Sequence, residues 1–123
     1  MKNWIRFFEI PSLDFARAVR FYSDIFGIQL EACDYGTARM AFFPADEGGC
    51  YGAVIACEGF ESSANGVIVS FVAEKGIESI LEQVERLGGQ VIVPKCAVGE
   101  DGKGFYALFR DTEGNRIGLH SDQ

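Results

Sequence analysis

The sequence predicts an α+β fold of two tandem βαβββ modules. Each is expected to form a curved, mixed four-stranded sheet backed by one helix, and the two sheets are expected to enclose a shared cleft. Three observations carry this. The chain nearly repeats itself: Phe15, Ala18, Val19, Tyr22, Ile25 and Gly27 recur 62 positions on as Ile77, Ile80, Leu81, Val84, Leu87 and Gly89. Ala41, Phe43, Glu47, Gly48 and Gly52 recur 66 positions on as Ala107, Phe109, Glu113, Gly114 and Gly118. Each copy holds one stretch with apolar residues at helical spacing, and the rest of each copy reads as short strands broken by turn residues. The 123 residues are read as one domain, 1–123, made of modules at about 1–60 and 65–123.

Residues 4–10 read as a strand that ends at Pro11, which lacks a backbone donor. Asp14 can cap a helix by accepting bonds from its first free N–H groups. The stripe from Phe15 to Phe26 makes that helix one-sided, and Gly27 suits the left-handed position that stops it. Strands follow near 28–34, 37–44 and 50–57, with Asp46–Gly49 as the turn between the last two. The small polar residues 58–65 form the linker. The second copy opens with a strand near 66–73 and a helix at about 76–87, closed by Gly88 and Gly89. Its remaining strands fall near 90–94, 104–110 and 116–120, with a turn at Asp111–Asn115.

Composition narrows the function. An apolar fraction of 48% and a charged fraction of 24% suit a globular chain with a real core. No apolar run approaches the roughly 18 residues of a membrane span. The first residues hold no long apolar core of an export signal, so the expected location is cytoplasmic. A net charge of −7 with no basic cluster argues against nucleic acid. Cys33, Cys50, Cys57 and Cys96 show neither C-x-x-C nor zinc-ligand spacing, and are expected to be reduced and incidental. Gly99–Gly104 is glycine-rich but has no phosphate-loop spacing, and two acids sit inside it. It reads as a hairpin loop, with a lid as the alternative.

The two stretches Asp14-Phe15-Ala16-Arg17-Ala18-Val19-Arg20-Phe21-Tyr22 with Phe26-Gly27, and Asp111-Thr112-Glu113-Gly114-Asn115-Arg116-Ile117-Gly118-Leu119, resemble the vicinal-oxygen-chelate superfamily. That group holds glyoxalases, extradiol dioxygenases, fosfomycin-resistance enzymes and bleomycin-binding proteins. The second stretch looks most like small bacterial glyoxalase-related proteins of undefined activity. In metal-dependent members four ligands come from the first and last strands of both modules. Carried over, these positions are Phe7, Gly52, Val69 and Gly118. None of the four side chains can bind a divalent cation, and His120 is the single histidine. No metal and no cofactor is therefore expected.

Strand parity extends the candidate site. Glu9 accompanies Phe7, Phe71 accompanies Val69, Cys50 accompanies Gly52, and His120 accompanies Gly118. Phe7, Glu9, Cys50, Gly52, Val69, Phe71, Gly118 and His120 are thus the candidate ligand-binding residues, an apolar set with a few polar groups. Glu9 is the candidate catalytic residue, as a general base. The alternative for Glu9 is a strand carboxylate paired with Arg116 or another arginine. His120 is a second candidate base, or a hydrogen-bonded histidine at a strand end. Tyr35, Tyr51 and Tyr106 suit stacking on a planar ligand or ordinary cross-strand packing. Trp4 reads as structural.

Three functions stay open. One is metal-independent binding or sequestration of an apolar or aromatic compound. Another is a divergent glyoxalase-related lyase or isomerase that uses Glu9. The third is a dimeric structural domain with a vestigial cleft. Partners are expected to be a small molecule and a second copy of the chain, in a homodimer.

Overall fold

The computed structural model describes residues 4–46, 51–99 and 104–123. The chain divides into two compact units, Met1–Ser62 and Ser63–Gln123. In the first, β1 (Phe7–Pro11), α1 (Phe15–Phe26), β2 (Glu31–Asp34), β3 (Ala38–Phe42) and β4 (Tyr51–Cys57) follow in order. In the second come β5 (Val69–Val72), α2 (Ile77–Arg86), β6 (Gln90–Ala97), β7 (Phe105–Arg110) and β8 (Arg116–Ser121). Each unit is βαβββ, as the internal repeat predicts.

Both sheets are mixed. Their orders are β1-β4-β3-β2 and β5-β8-β7-β6. The β1–β4 and β5–β8 pairs are parallel and the others antiparallel. The expectation of curved sheets is corrected here: neither sheet is curled or closed. Curling into a barrel requires the outer strands to find each other. In a four-stranded sheet with β1 and β2, or β5 and β6, as unpaired edges, nothing imposes it. Pro11 is tolerated within β1 because that strand is an edge.

The helix ends follow from single residues. The Arg17 N–H donates to Asp14 Oδ1 at 3.1 Å, satisfying one of the orphan donors of α1. Gly27 stops the helix at φ 63°, a left-handed conformation that costs glycine little. No side chain caps α2, whose N-cap is Gly76. Instead Glu78 lies in its first turn and Arg86 in its last, each complementing the helix dipole.

The core of each unit lies between helix and sheet. Ala18, Phe21, Tyr22 and Ile25 of α1 are buried, as are Ile10, Ala41, Phe43 and Val54 of the sheet. Tyr22 meets Phe43 edge-on at 5.7 Å between ring centroids, and Phe8 meets Phe43 at 5.5 Å. The Arg39 guanidinium lies 4.9 Å from the centre of the Phe15 ring, tying β3 to α1. In the second unit Ile77, Ile80, Leu81 and Val84 pack with Ala107, Phe109, Ile117 and Leu119, all buried. Lys95 of β6 bridges to Glu78 of α2 at 3.3 Å and covers the Phe105 ring at 4.5 Å. Trp4, expected to be structural, is 92% exposed and takes no part in either core.

Candidate functional site

Each sheet has one face against its helix and one face without a helix, and strand register assigns every residue to one of them. Residues paired across a ladder point the same way. Phe8 pairs with Gly52 and Ile10 with Val54, so these four face α1. Phe7, Glu9, Tyr51 and Ala53 face away from it, joined by Met40, Phe42 and Ile55.

The expectation that Gly52 shares a face with Phe7 and Glu9 is thereby overturned. A Cβ built on Gly52 would stand 2.0 Å from the Phe8 ring, so the glycine is the seat of that ring on the helix side. Glu9 does accompany Phe7. Cys50 lies outside the described residues, as do Glu47–Gly49 of the expected turn and Glu100–Lys103 of the expected loop.

In the second unit Val69 pairs with Ile117 and Phe71 with Leu119, both buried partners on the α2 side. Val69 and Phe71 are therefore core-side residues, against expectation. Gly118 pairs with Ser70 and His120 with Val72, on the opposite face. Tyr106, Leu108, Arg110 and Arg116 share that face, as does Cys96, the partner of Tyr106. The structure thus brings Gly118 and His120 together, and separates them from Val69 and Phe71.

Both errors have one source. The repeat offset is 66 on β3 and β7, where Ala41 and Ala107 correspond. It is 65 on β4 and β8, because Ala41 pairs with Val54 while Ala107 pairs with Leu119. The connection before β8 is one residue shorter than that before β4. By the same logic Ile10 corresponds to Phe71, although Phe15 corresponds to Ile77, so the connection before α2 is one residue longer. A one-residue change moves every side chain of a strand to the other face.

With the register corrected, Phe7 corresponds to Ile68, Glu9 to Ser70, Ala53 to Gly118, Tyr51 to Arg116, and Ile55 to His120. The positions that the family resemblance marks for metal ligation become Phe7, Ala53, Ile68 and Gly118. Phenylalanine, alanine, isoleucine and glycine offer no donor side chain. The Ser70 hydroxyl moreover lies 2.3 Å from where a Cβ at Gly118 would stand, filling the start of any longer side chain. Among the described residues no group of three or more His, Cys, Asp or Glu side chains is placed to hold a metal ion. The residues present do not fit the family's metal centre.

On the helix-free face of the first sheet, Phe7 and Phe42 lie 6.2 Å apart between ring centroids. Tyr51 stands beside Phe7 in the ladder and is 51% exposed. Glu9 is exposed next to them, and among the described residues its carboxylate makes no hydrogen bond or ion pair. This is an aromatic patch around one free carboxylate. Ala53 and Ile55, in the same strand, are buried.

The helix-free face of the second sheet is more polar. The Tyr106 ring lies 6.3 Å from the His120 imidazole at 33°. A hydrogen bond with the neighbouring Cys96 thiol, then its charge, then desolvation hold the Tyr106 hydroxyl above its ordinary range. Ser70 is exposed across from Gly118. Cys33, Cys57 and Cys96 are free thiols, none of them fully buried.

Sequence reasoning missed Ser70, and it placed the turn at Asp111–Asn115 without the side-chain bonds that fix it before β8. Asp111 Oδ1 accepts the Glu113 N–H at 2.9 Å and the Asn115 N–H at 2.8 Å, while Oδ2 accepts Asn115 Nδ2 at 3.0 Å. Asp111, Glu113 and Asn115 are all buried. Gly114 turns the chain at φ 96°. Asn115 Oδ1 also accepts the Ser63 N–H at 3.2 Å, anchoring the start of the second unit. The Asp-x-x-Gly-Asn spacing is the signal, because an Asx side chain can bond the backbone of its own turn.

The pattern of the glyoxalase/bleomycin resistance protein/dioxygenase superfamily matches residues 4–119, and the chain belongs to that superfamily. A glyoxylase-like domain-containing protein from Didymella fabae is 31% identical over 114 residues, 87% of this chain and 84% of the relative. A glyoxalase/bleomycin resistance protein from Albidiferax ferrireducens superposes with a TM-score of 0.70 at 18% identity, covering 98% of this chain and 100% of the other. A glyoxalase-related enzyme from Fulvimarina pelagi gives 0.72 at 16%, covering 97% and 88%. The fosfomycin resistance protein FosX from Listeria monocytogenes gives 0.68 at 16%, covering 100% and 94%. At these identities the solved structures establish the fold alone.

Proposed function

We propose that the protein binds a small apolar or aromatic compound without the help of a metal. The helix-free face of its first sheet would be the seat. The observation that carries this is the group of exposed Phe7 and Tyr51 with half-buried Phe42 around the Glu9 carboxylate, which has no partner among the described residues. Rings offer large contact area at low entropy cost, and one carboxylate can orient a protonated or hydrogen-bonding substituent. Phe, Ala, Ile and Gly at the four family ligand positions support independence from metal.

The test is thermal unfolding with 1-naphthol as probe, in EDTA and then with zinc, nickel or manganese. A ligand of the native state raises the midpoint. The probe should do so, with Phe7→Ala abolishing the effect, while the metals should not. Stoichiometric metal in protein purified without chelator, or a metal-induced rise, would overturn the metal-free reading.

Glu9 supports a second reading, a lyase or isomerase in which this carboxylate removes a proton next to a carbonyl. Glu9→Gln should then abolish turnover and retain affinity for the compound. A homodimer is part of the same proposal. Trp4 and Ile5 precede edge strand β1, Val67 and Ile68 lead into edge strand β5, and Val72 ends it, all exposed. Burial in a dimer would cover such edges. Light scattering should give twice the 13.5 kDa chain mass, and a monomer at high concentration would refute it.

A further inference from the structure

We infer that the helix-free face of the second sheet carries an anion-binding site, in which Arg110 and Arg116 hold the carboxylate or phosphate group of a small molecule. This lies beyond the reading above, which concerns the first sheet. Arg110 and Arg116 are direct partners in the β7–β8 ladder. Two like charges directly opposite on one face repel each other, at Cβ separations of about 5 Å. An anion between them removes that repulsion.

No described side chain already does so. Among the described residues neither arginine side chain makes an ion pair or hydrogen bond. Arg116 Nε is buried without a partner, an arrangement that is costly unless something accepts from it. The carboxylates of the adjoining turn are buried and committed elsewhere. Asp111 serves Glu113 and Asn115, and Glu113 Oε2 accepts the Thr112 hydroxyl at 2.7 Å.

The surroundings suit an organic anion. Guanidinium groups match a carboxylate or phosphate with paired N–H donors. The next residue along this face of β8 is Gly118, roughly 7 Å further on. It has no side chain of its own, and Leu108 faces it across the ladder. A flat apolar body attached to the anion can lie there. The Ser70 hydroxyl, reaching over Gly118, supplies a further donor. In a chain of net charge −7, the general field disfavours anions, so binding has to come from this local pair.

The experiment follows the arginine Nε–H signals of the full chain by 1H–15N NMR. Benzoate, inorganic phosphate and neutral benzamide are titrated in turn. Benzoate or phosphate should shift Arg116 Nε–H saturably, with benzamide at least about tenfold weaker. Tighter binding of benzoate assigns a carboxylate ligand with an apolar body, and tighter binding of phosphate assigns a phosphate. Arg116→Gln and Arg110→Gln should each weaken binding about tenfold or more, while Arg20→Gln on α1 should change nothing. Should Arg116→Gln fail to fold, Arg116→Lys keeps the charge, loses the fork and should still weaken binding. Two results would overturn the site: no saturable shift with either anion, or shifts that survive both arginine variants. The 1-naphthol test on Phe7 is independent, so either reading can fail alone.

Discussion

On the first sheet the face without a helix shows Phe7, Phe42 and Tyr51 around Glu9. On the second, the corresponding places hold Ile68, Leu108, Arg116 and Ser70. Met40 and Ile55 have become Tyr106 and His120. The backbone plan is the same in both: βαβββ, parallel outer pair, one helix on one face. The helix sides stayed apolar, with Ala41 and Phe43 matched by Ala107 and Phe109, and Ile10 and Val54 by Phe71 and Leu119. The difference teaches that a duplicated module keeps the packing that holds it together and diverges where no helix covers it. There a substitution changes chemistry with little penalty to the core.

The sharpest way to break this comparison is to place the same methyl group on both sheets. In Gly52→Ala the new Cβ meets the Phe8 ring, which is itself packed on Phe43 and has little room to move. A loss of about 3 kcal/mol is expected in chemical denaturation, the upper end for an overpacked core. Phe8→Leu in the same chain should recover part of it. Gly118→Ala meets the Ser70 hydroxyl, which can rotate away, and stands 3.2 Å from Ser70 Cβ, which has to give by only a few tenths of an ångström, so about 1 kcal/mol is expected. Equal losses would mean that the two glycines share a face after all.

The assignment of rings can be tested in the same way. Phe71→Ala removes a half-buried ring on the α2 side and should cost about 2 kcal/mol, short of the 3–5 kcal/mol for a fully buried one. Phe7→Ala should leave stability within about 0.5 kcal/mol, as surface changes do, and remove the response to 1-naphthol. The opposite pattern would return Phe71 to the binding face.

The helices offer a smaller contrast. Asp14→Ala should destabilise the first unit by about 1 kcal/mol through loss of the α1 cap. No equivalent loss exists for α2, which has no side-chain cap. Hydrogen exchange should show the first turn of α1 fraying in this variant and α2 unchanged.

The weakest effect belongs to the second unit alone. Glu78 titrates below its ordinary carboxylate value, first because of its own backbone N–H and then because of Lys95. Its folded state releases the proton more readily than the unfolded chain. The resulting stabilisation is present above the ordinary carboxylate range and is lost as pH falls through the lowered folded value. Lys95→Met should flatten that acid limb slightly and leave stability at high salt almost unchanged, since exposed pairs are screened. A larger change in acid than at neutral pH would contradict this account.

Local signals were enough for both helices and for the ends of α1. The stripe Phe15–Phe26, the Asp14 cap and the Gly27 stop are properties of consecutive residues, and so is the stripe from Ile77. The eight strands and their order in two modules were legible for the same reason, through alternation and an internal repeat. The absence of donors at the family's ligand positions was legible too, and survived the corrected register, because neither Phe7 and Ile68 nor Ala53 and Gly118 can ligate. Which face each strand residue takes was not legible on β4 and β5. Connections of unequal length carry no periodic signal, and one residue gained or lost there exchanges Gly52 for Ala53 and Val69 for Ser70. That choice is made by hydrogen bonds between strands far apart in the chain. So is the meeting of Arg110 with Arg116, which the turn at Asp111–Asn115 brings face to face. Sequence alone determined the elements and the chemistry of each residue. Only the pairing of strands decided which residues share a surface, because side-chain direction in a sheet depends on register.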